Sequence, residues 1–184
     1  RMMRILANFR PRLIGSTLQK LQELYDSLDR DLIEARKLQQ TLVRDRLRDF
    51  GAGKAALMLR PSGHVGGDLV GSFVINPHRI VVYSVDVSGH GVAAALVASM
   101  FKMSFHTHAA NVASPKVLFH MLNEEMKPVL AEDYITSFYL IVDRSQNTIT
   151  YTNAGHPTPL LYRRATGEVI ELDNHVFFLK SFQP

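Results

Sequence analysis

The 184-residue chain contains no cysteine. Disulfide bonds and thiolate metal sites are therefore excluded, and any metal would have to be held by Asp, Glu, His or backbone oxygen. No run of about eighteen apolar residues is present, so the sequence predicts no membrane-spanning helix. No secretory signal is visible, which makes a cytoplasmic location the default expectation.

A strong excess of one charge is also missing, because the formal net charge is only +4. The basic residues are dispersed, with the densest group at Arg44, Arg46 and Arg48. A nucleic-acid-binding face would need them clustered, so no nucleic-acid partner is predicted. The apolar fraction of 46% is typical of a globular chain, and the length suits one domain with an appendage.

Two glycine-flanked aspartates stand beside two predicted strands. Asp68 ends the string Val65-Gly66-Gly67-Asp68 and precedes an apolar run at 69–75, and Asp86 closes a second run at 80–85 and opens Asp86-Val87-Ser88-Gly89-His90-Gly91. A single Asp-Gly pair would indicate only a turn. Two of them at neighbouring strands favour a hard divalent cation such as Mg²⁺ or Mn²⁺, which prefers oxygen ligands.

The N-terminal part predicts one long helix from Ile14 to about Leu47, with Pro11 and Gly15 expected to end it on the N-terminal side. Apolar residues recur there in steps of three and four, and Gln39 fills the one remaining place of the series: Ile14, Leu18, Leu21, Tyr25, Leu28, Leu32, Ala35 and Leu42. This pattern favours a parallel coiled-coil dimer in which Gln39 fixes the register. The alternative is a single helix lying against its own domain.

The remaining chain predicts strands with helices between them. A strand is expected at 55–60, a helix after Gly91, and a second helix from Ser114 as N-cap, with Pro115 at its first position, to about Leu130. A hairpin is expected at 135–142 and 148–152, followed by short strands at 160–163 and 168–172. The predicted class is α+β with antiparallel sheet covered by helices.

The two aspartate strings resemble the metal-binding signatures of the PPM (protein phosphatase 2C-like) superfamily of metal-dependent serine/threonine phosphatases. Two further strings match its bacterial RsbU/SpoIIE branch: Leu32-Ile33-Glu34-Ala35-Arg36-Lys37-Leu38-Gln39-Gln40 and Tyr151-Thr152-Asn153-Ala154-Gly155-His156-Pro157-Thr158-Pro159-Leu160. The resemblance covers roughly residues 30–175. It implies an α-β-β-α sandwich of two mainly antiparallel sheets, preceded by the coiled-coil helix, with metals at one end of the sheets.

The resemblance also implies the site residues. Asp86 would bridge two Mn²⁺ or Mg²⁺ ions, and Asp68 and the Val87 carbonyl would complete the second metal site, which makes Asp68 and Asp86 the predicted catalytic residues. Two such ions about 4 Å apart polarise a phosphate and activate a water. His64 and His90 do not stand at ligand positions of the motifs and are expected to be loop or structural residues.

The other histidines are not expected to carry chemistry. Asn153 and His156 are predicted to shape the sheet edge near the site rather than to carry chemistry. His106, His108 and His120 lack zinc spacing and are predicted to have no catalytic role.

Two later aspartates of the family pattern have no counterpart in this sequence. The C-terminal part of the phosphatase domain is therefore expected to be missing, and an inactive relative is the other reading. The predicted organisation is the end of an upstream segment or linker at 1–13, a coiled-coil signalling helix at 14–48 and a C-terminally incomplete PPM-type domain at 49–184.

The predicted function is hydrolysis of phosphoserine or phosphothreonine on a regulatory protein by a metal-activated water. The branch implies an anti-sigma-factor antagonist as substrate, with control through a homodimeric N-terminal coiled coil. The alternatives are a pseudophosphatase that binds a partner with the same fold, or a dimerisation scaffold.

Overall fold

The computed structural model describes residues 2–43, 56–109, 111–112, 114–130 and 133–172. The chain forms two compact units, Arg1–Leu38 and Gln39–Pro184. Helix α1 spans Met2–Val43, so its last residues belong to the second unit. The predicted α+β class with antiparallel sheets and a long N-terminal helix is confirmed.

Helix α1 differs from the prediction at its N-terminal end. It begins at Met2 and continues through Pro11 and Gly15, where the sequence predicted a break. Proline removes one backbone hydrogen bond, and a long helix with regular turns on both sides can retain its path despite that loss. The predicted end near 47 and the domain boundary at 48–49 lie outside the described residues.

The second unit contains a four-stranded antiparallel sheet in the order β1-β2-β3-β4. Its strands are β1 Leu69–Asn76, β2 Arg79–Val87, β3 Ile135–Asp143 and β4 Thr148–Ala154. Helices α2 Gly91–Ala109 and α3 Pro115–Met126 lie between β2 and β3 in the chain, and strands β5 Leu160–Arg163 and β6 Glu168–Glu171 pair as a second, two-stranded sheet. The predicted hairpins therefore form where expected.

Alternation of side chains along the strands decides which face of the large sheet is buried. Val81, Tyr83, Val85 and Val87 alternate along β2 and join the core formed with α2 and α3. Alanines on α2 allow that helix to lie close to its neighbours, and Phe105 packs edge-on to Tyr139 of β3 with ring centroids 5.3 Å apart. The opposite face of β2 is left for Ser84 and Asp86.

Two predicted elements are shorter or absent. Residues 56–60 show alternating exposure but no strand, since none of the described strands pairs with them and alternation alone does not supply a hydrogen-bonding partner. Helix α3 ends at Met126 rather than near Leu130. Within the described part of the chain, no helix combines the length and apolarity needed to cross a membrane.

Candidate metal centre

The two predicted ligands Asp68 and Asp86 lie side by side at one end of the large sheet. Asp68 directly precedes β1, and Asp86 is the penultimate residue of β2. The antiparallel register pairs Leu69 of β1 with Val85 of β2. Because Asp68 directly precedes Leu69 and Asp86 directly follows Val85, the two aspartates lie next to each other at this end of the sheet. The β1–β2 hairpin therefore brings together two carboxylates from separate glycine-containing strings of the sequence.

The electrostatics of the pair favour a bound cation. Partial burial raises the pKa of Asp86 above its usual value, although the residue as a whole is exposed, and the hydrogen bond and negative charge of Asp68 act in the same direction. Two neighbouring carboxylates repel each other when both are ionised. A divalent cation between them would remove this cost, and the all-oxygen donor set suits Mg²⁺ or Mn²⁺.

The Val87 carbonyl, the third predicted ligand, lies against Gly67. A Cβ atom added to Gly67 would meet the Val87 oxygen at 2.7 Å and the Ala94 Cβ at 3.2 Å. Only glycine allows the backbone that precedes Asp68 to approach the end of β2 so closely. The residue that precedes Asp68 is thus in close backbone contact with Val87.

The loop after Val87 is held by a serine and an aspartate that the motif analysis did not single out. Ser88 Oγ donates to Asp133 Oδ1 at 2.9 Å and accepts from the Tyr134 backbone N–H at 2.9 Å, while the Ser88 N–H donates to the Tyr134 carbonyl at 2.9 Å. Gly89 and Gly91 have φ values of +87° and +74°, which glycine adopts without strain. These contacts fix the turn between β2 and α2.

The glycine string before Asp68 is bonded to the end of α1. Gln39 Nε2 donates to the Gly66 carbonyl at 2.7 Å, and the Gly66 N–H donates to Gln39 Oε1 at 3.4 Å. Both residues belong to the second unit. The Gln39 amide is therefore engaged next to Gly67 and Asp68, whereas the sequence predicted it in a coiled-coil seam.

His156 lies on the same face as Asp86, where its ring joins β2 to β3. Its Nε2 is 2.9 Å from Ser84 Oγ and its Nδ1 is 2.9 Å from Thr136 Oγ1. Burial lowers the pKa of His156, and the negative charge of Asp68 acts in the opposite direction. The hydrogen bonds connect this ring to both central strands, and its shaping role stays a prediction.

Two of the helical histidines make contacts between elements. His106 packs on Phe73 with ring centroids 4.4 Å apart. His108 Nε2 lies 2.6 Å from Glu125 Oε1 and so connects α2 with α3. Among the residues that the structure describes, no group of three or more His, Asp or Glu side chains could hold a metal ion.

The comparison with known families decides the classification. The family described as Stage II sporulation protein E (SpoIIE) matches residues 76–179, which is more than half of the chain. The chain belongs to the SpoIIE family. The RsbU/SpoIIE branch of the PPM superfamily, which the sequence motifs indicated, is confirmed.

Two curated relatives of this SpoIIE-family chain come from Bacillus subtilis (strain 168). The chain is 32% identical to "Phosphoserine phosphatase RsbP" over 111 residues, which cover 58% of the chain and 27% of RsbP. It is 26% identical to "Phosphoserine phosphatase RsbU" over 156 residues, which cover 84% of the chain and 46% of RsbU. The chain thus spans less than half the length of either relative.

Solved structures support the fold. The SiaA-PP2C domain of Pseudomonas aeruginosa superposes with a TM-score of 0.71 at 21% identity, over 86% of this chain and 64% of that chain. RsbX in complex with magnesium superposes with a TM-score of 0.53 at 17% identity, over 65% of this chain and 57% of that chain. At these identities the likeness concerns the fold alone.

Proposed function

We propose that this chain carries the phosphatase function of its family, as a Mn²⁺- or Mg²⁺-dependent protein serine/threonine phosphatase. The observation that supports it most is the Asp68–Asp86 pair beside the Val87 carbonyl, at one end of the sheet of a SpoIIE-family domain. The names of RsbP and RsbU, both phosphoserine phosphatases, agree with this reaction.

In this proposal Asp86 would be a ligand of both ions, and Asp68 and the Val87 carbonyl would help to hold one of them. When bound, such ions neutralise charge on the phosphoryl oxygens and lower the pKa of a bound water, so that it can act as a nucleophile at neutral pH. Asp86 and Asp68 would hold the ions at the end of the sheet, where both residues are exposed to solvent and could be reached by a protein substrate. No protein nucleophile is required, which agrees with the lack of cysteine.

The proposed substrate is phosphoserine or phosphothreonine of a regulatory protein. We propose an anti-sigma-factor antagonist as that protein, acting in the cytoplasm, because the sequence motifs resemble those of the RsbU/SpoIIE branch. A protein substrate also suits a site at the end of a sheet, because a shallow exposed site can accept a residue on a folded or extended partner.

The decisive experiment measures phosphate release from a phosphoserine protein by the full-length protein, with and without Mn²⁺. Asp86→Asn is expected to reduce the rate by about a hundredfold or more, since loss of a residue that only supports a metal ligand already costs about 10- to 100-fold. Glu168→Gln, on exposed strand β6, is the control and is expected to leave the rate unchanged. Normal turnover by Asp86→Asn would refute the proposal.

Control of the enzyme is proposed to pass through α1, as a coiled-coil homodimer. The apolar side chains of its predicted stripe are largely exposed, including Ile14, Leu18, Leu21 and Leu28, and burial against a second copy would remove them from water. The Gln39–Gly66 hydrogen bonds support an input at this end of the helix, because Gly66 lies two residues before Asp68.

A pseudophosphatase is the second candidate, because no three-residue metal group is found among the described residues. It would bind a partner protein through the same face without hydrolysis. Calorimetry with Mn²⁺ on the full-length protein separates the two: heat of binding with a defined stoichiometry favours the enzyme, and its absence favours the binding module.

A further inference from the structure

The imidazole of His156 joins the two central strands of the large sheet. It accepts or donates one hydrogen bond at each ring nitrogen, to Ser84 of β2 and to Thr136 of β3, and both distances are 2.9 Å. The ring is half-buried. A side chain with both ends engaged on different strands has little freedom to move, and it restricts both strands in turn.

The backbone of His156 is fixed independently by Asn153. The Asn153 Oδ1 accepts from the His156 N–H at 2.8 Å, and the Asn153 Nδ2 donates to the His156 carbonyl at 3.0 Å. Asn153 is only 1% exposed. The buried Asn153 amide, on β4, thus accepts from the His156 N–H and donates to the His156 carbonyl. The backbone of His156 is therefore attached to β4, while its ring bonds to β2 and β3.

The two hydroxyl partners occupy positions next to Asp86 on β2 and opposite it on β3. Ser84 precedes Asp86 by two residues on β2 and so points to the same side of the sheet. Thr136 is the residue directly opposite Asp86 on β3. Side chains directly opposite each other in an antiparallel pair have Cβ atoms about 4.5–5.5 Å apart, so a shift of Thr136 would change the immediate surroundings of Asp86.

Asp86 needs such support because Asp68 stands beside it. Burial is the largest cause of the raised pKa of Asp86, and the hydrogen bond and negative charge of Asp68 add to it. When both carboxylates are ionised and no cation is bound, their repulsion acts to separate them. Rigid placement before binding lowers the ordering cost that a ligand has to overcome.

We propose that His156 is a positioning residue for Asp86: by joining Ser84 to Thr136, it holds the β2–β3 surface from which Asp86 binds metal. This inference rests on the proposed function, because it assigns Asp86 a metal ion. It assigns His156 no contact with metal or substrate. Its effect is expected in metal affinity rather than in the chemical step.

The test is calorimetric titration of the full-length protein with Mn²⁺. His156→Ala is expected to weaken binding by about tenfold, within the range found for residues that orient metal ligands. The double variant Ser84→Ala/Thr136→Val removes both hydroxyl partners while leaving His156 in place, and the same loss is expected. Adding His156→Ala to it should weaken binding little further, because the three side chains act as one unit. His120→Ala, exposed on α3, is the matched control and should bind as the unsubstituted protein does.

Thermal unfolding of each variant separates positioning from simple stabilisation. A folded His156→Ala protein with unchanged Mn²⁺ affinity and a lower melting temperature would overturn the inference, as would additive losses in the triple variant. If His156→Ala does not fold, the double variant decides, and unchanged affinity there overturns the inference equally. An unsubstituted protein without Mn²⁺ affinity would instead contradict the proposed function, and the inference with it.

Discussion

Gly67 lies where the backbone of the proposed metal centre leaves no room for a side chain. The nearest atom to its missing Cβ would be the Val87 carbonyl oxygen, at 2.7 Å. Glycines in loops are usually explained by backbone conformation, but the constraint on Gly67 is distance. The proposed arrangement of Asp68 and the Val87 carbonyl therefore requires that residue 67 has no Cβ atom.

Gly67→Ala is expected to destabilise the domain by about 1–3 kcal/mol, as overpacking of a buried position does. It should also weaken Mn²⁺ binding, because the Val87 carbonyl has to move away. Denaturant unfolding and calorimetry measure the two effects. Gly66→Ala is the adjacent control, since its Cβ would meet only Pro61 Cβ at an ordinary 3.7 Å. Equal effects of the two substitutions would contradict the explanation.

Asp143 governs stability at a turn far from the proposed site. Its Oδ1 accepts from Ser145 Oγ at 2.6 Å and from the Ser145 N–H at 2.9 Å, and its Oδ2 accepts from Arg79 Nε at 2.7 Å. The Ser145 and Arg79 hydrogen bonds lower the pKa of Asp143 to about 2 from 3.8. The carboxylate therefore stabilises the β3–β4 turn and joins it to β2.

Because the pKa of Asp143 is lower in the folded chain than in the unfolded chain, its contribution is fully present above about pH 4. It is lost as the pH falls through about 2. Asp143→Asn should therefore lower the free energy of unfolding at pH 7 and differ progressively less from the unsubstituted protein below pH 4. Urea unfolding across this pH range measures it. A difference independent of pH would contradict the assignment.

At the scale of elements, the end of α1 and the glycine string before β1 are joined by one side chain. Gln39→Ala removes two hydrogen bonds to Gly66. The expected loss is roughly 1–2 kcal/mol of unfolding free energy, since a net hydrogen bond contributes about 1 kcal/mol. Gln40→Ala, at the exposed next position of the helix, is the control for helix propensity. Equal stability of the two variants in urea would contradict the role of Gln39.

The elements that the sequence predicted best are those whose pattern is local. The hairpin of β3 and β4 follows from apolar alternation around a polar turn, and the N-cap Ser114 with Pro115 correctly marked the start of α3. Proline at position 11 failed as a stop signal, because the turns on both sides of it maintain α1. The prediction of a strand at 55–60 was wrong for the described residues 56–60, because a strand needs a second strand to hydrogen-bond with. The sequence of the segment does not show whether such a neighbour is present.

The same distinction applies to the metal centre. Asp68 and Asp86 could be recognised because glycine-rich strings mark them. The contacts of Gln39 with Gly66, and of His156 with Ser84 and Thr136, join residues far apart in sequence. Only the register of β2 with β3 places Thr136 opposite Asp86, and no local pattern encodes that register.

At the scale of the whole molecule, the exposed apolar stripe of α1 predicts self-association. Leu21 and Leu28 are 62% and 59% exposed, although they lie within the heptad series. Replacing both by Glu is expected to convert a dimer to a monomer, because the charges would face each other across the seam. Gln19→Glu/Gln22→Glu adds the same charge outside the stripe and should leave the dimer intact. Sedimentation velocity of the full-length protein distinguishes these outcomes, and a monomeric unsubstituted protein would contradict the coiled coil.

The β1–β2 hairpin has a consequence for the order in which the domain folds. Its short connection lets Asp68 and Asp86 meet through a local contact. Thr136 and His156 follow α2 and α3 in the chain, so their contacts with β2 close a longer loop. Local contacts form sooner than those that close long loops. The carboxylate pair can therefore assemble while the chain is still largely unfolded, and the histidine that spans β2 and β3 joins it last. A cation in the refolding buffer would meet the pair before its support is complete, so metal added early should change the folding rate as well as the final stability.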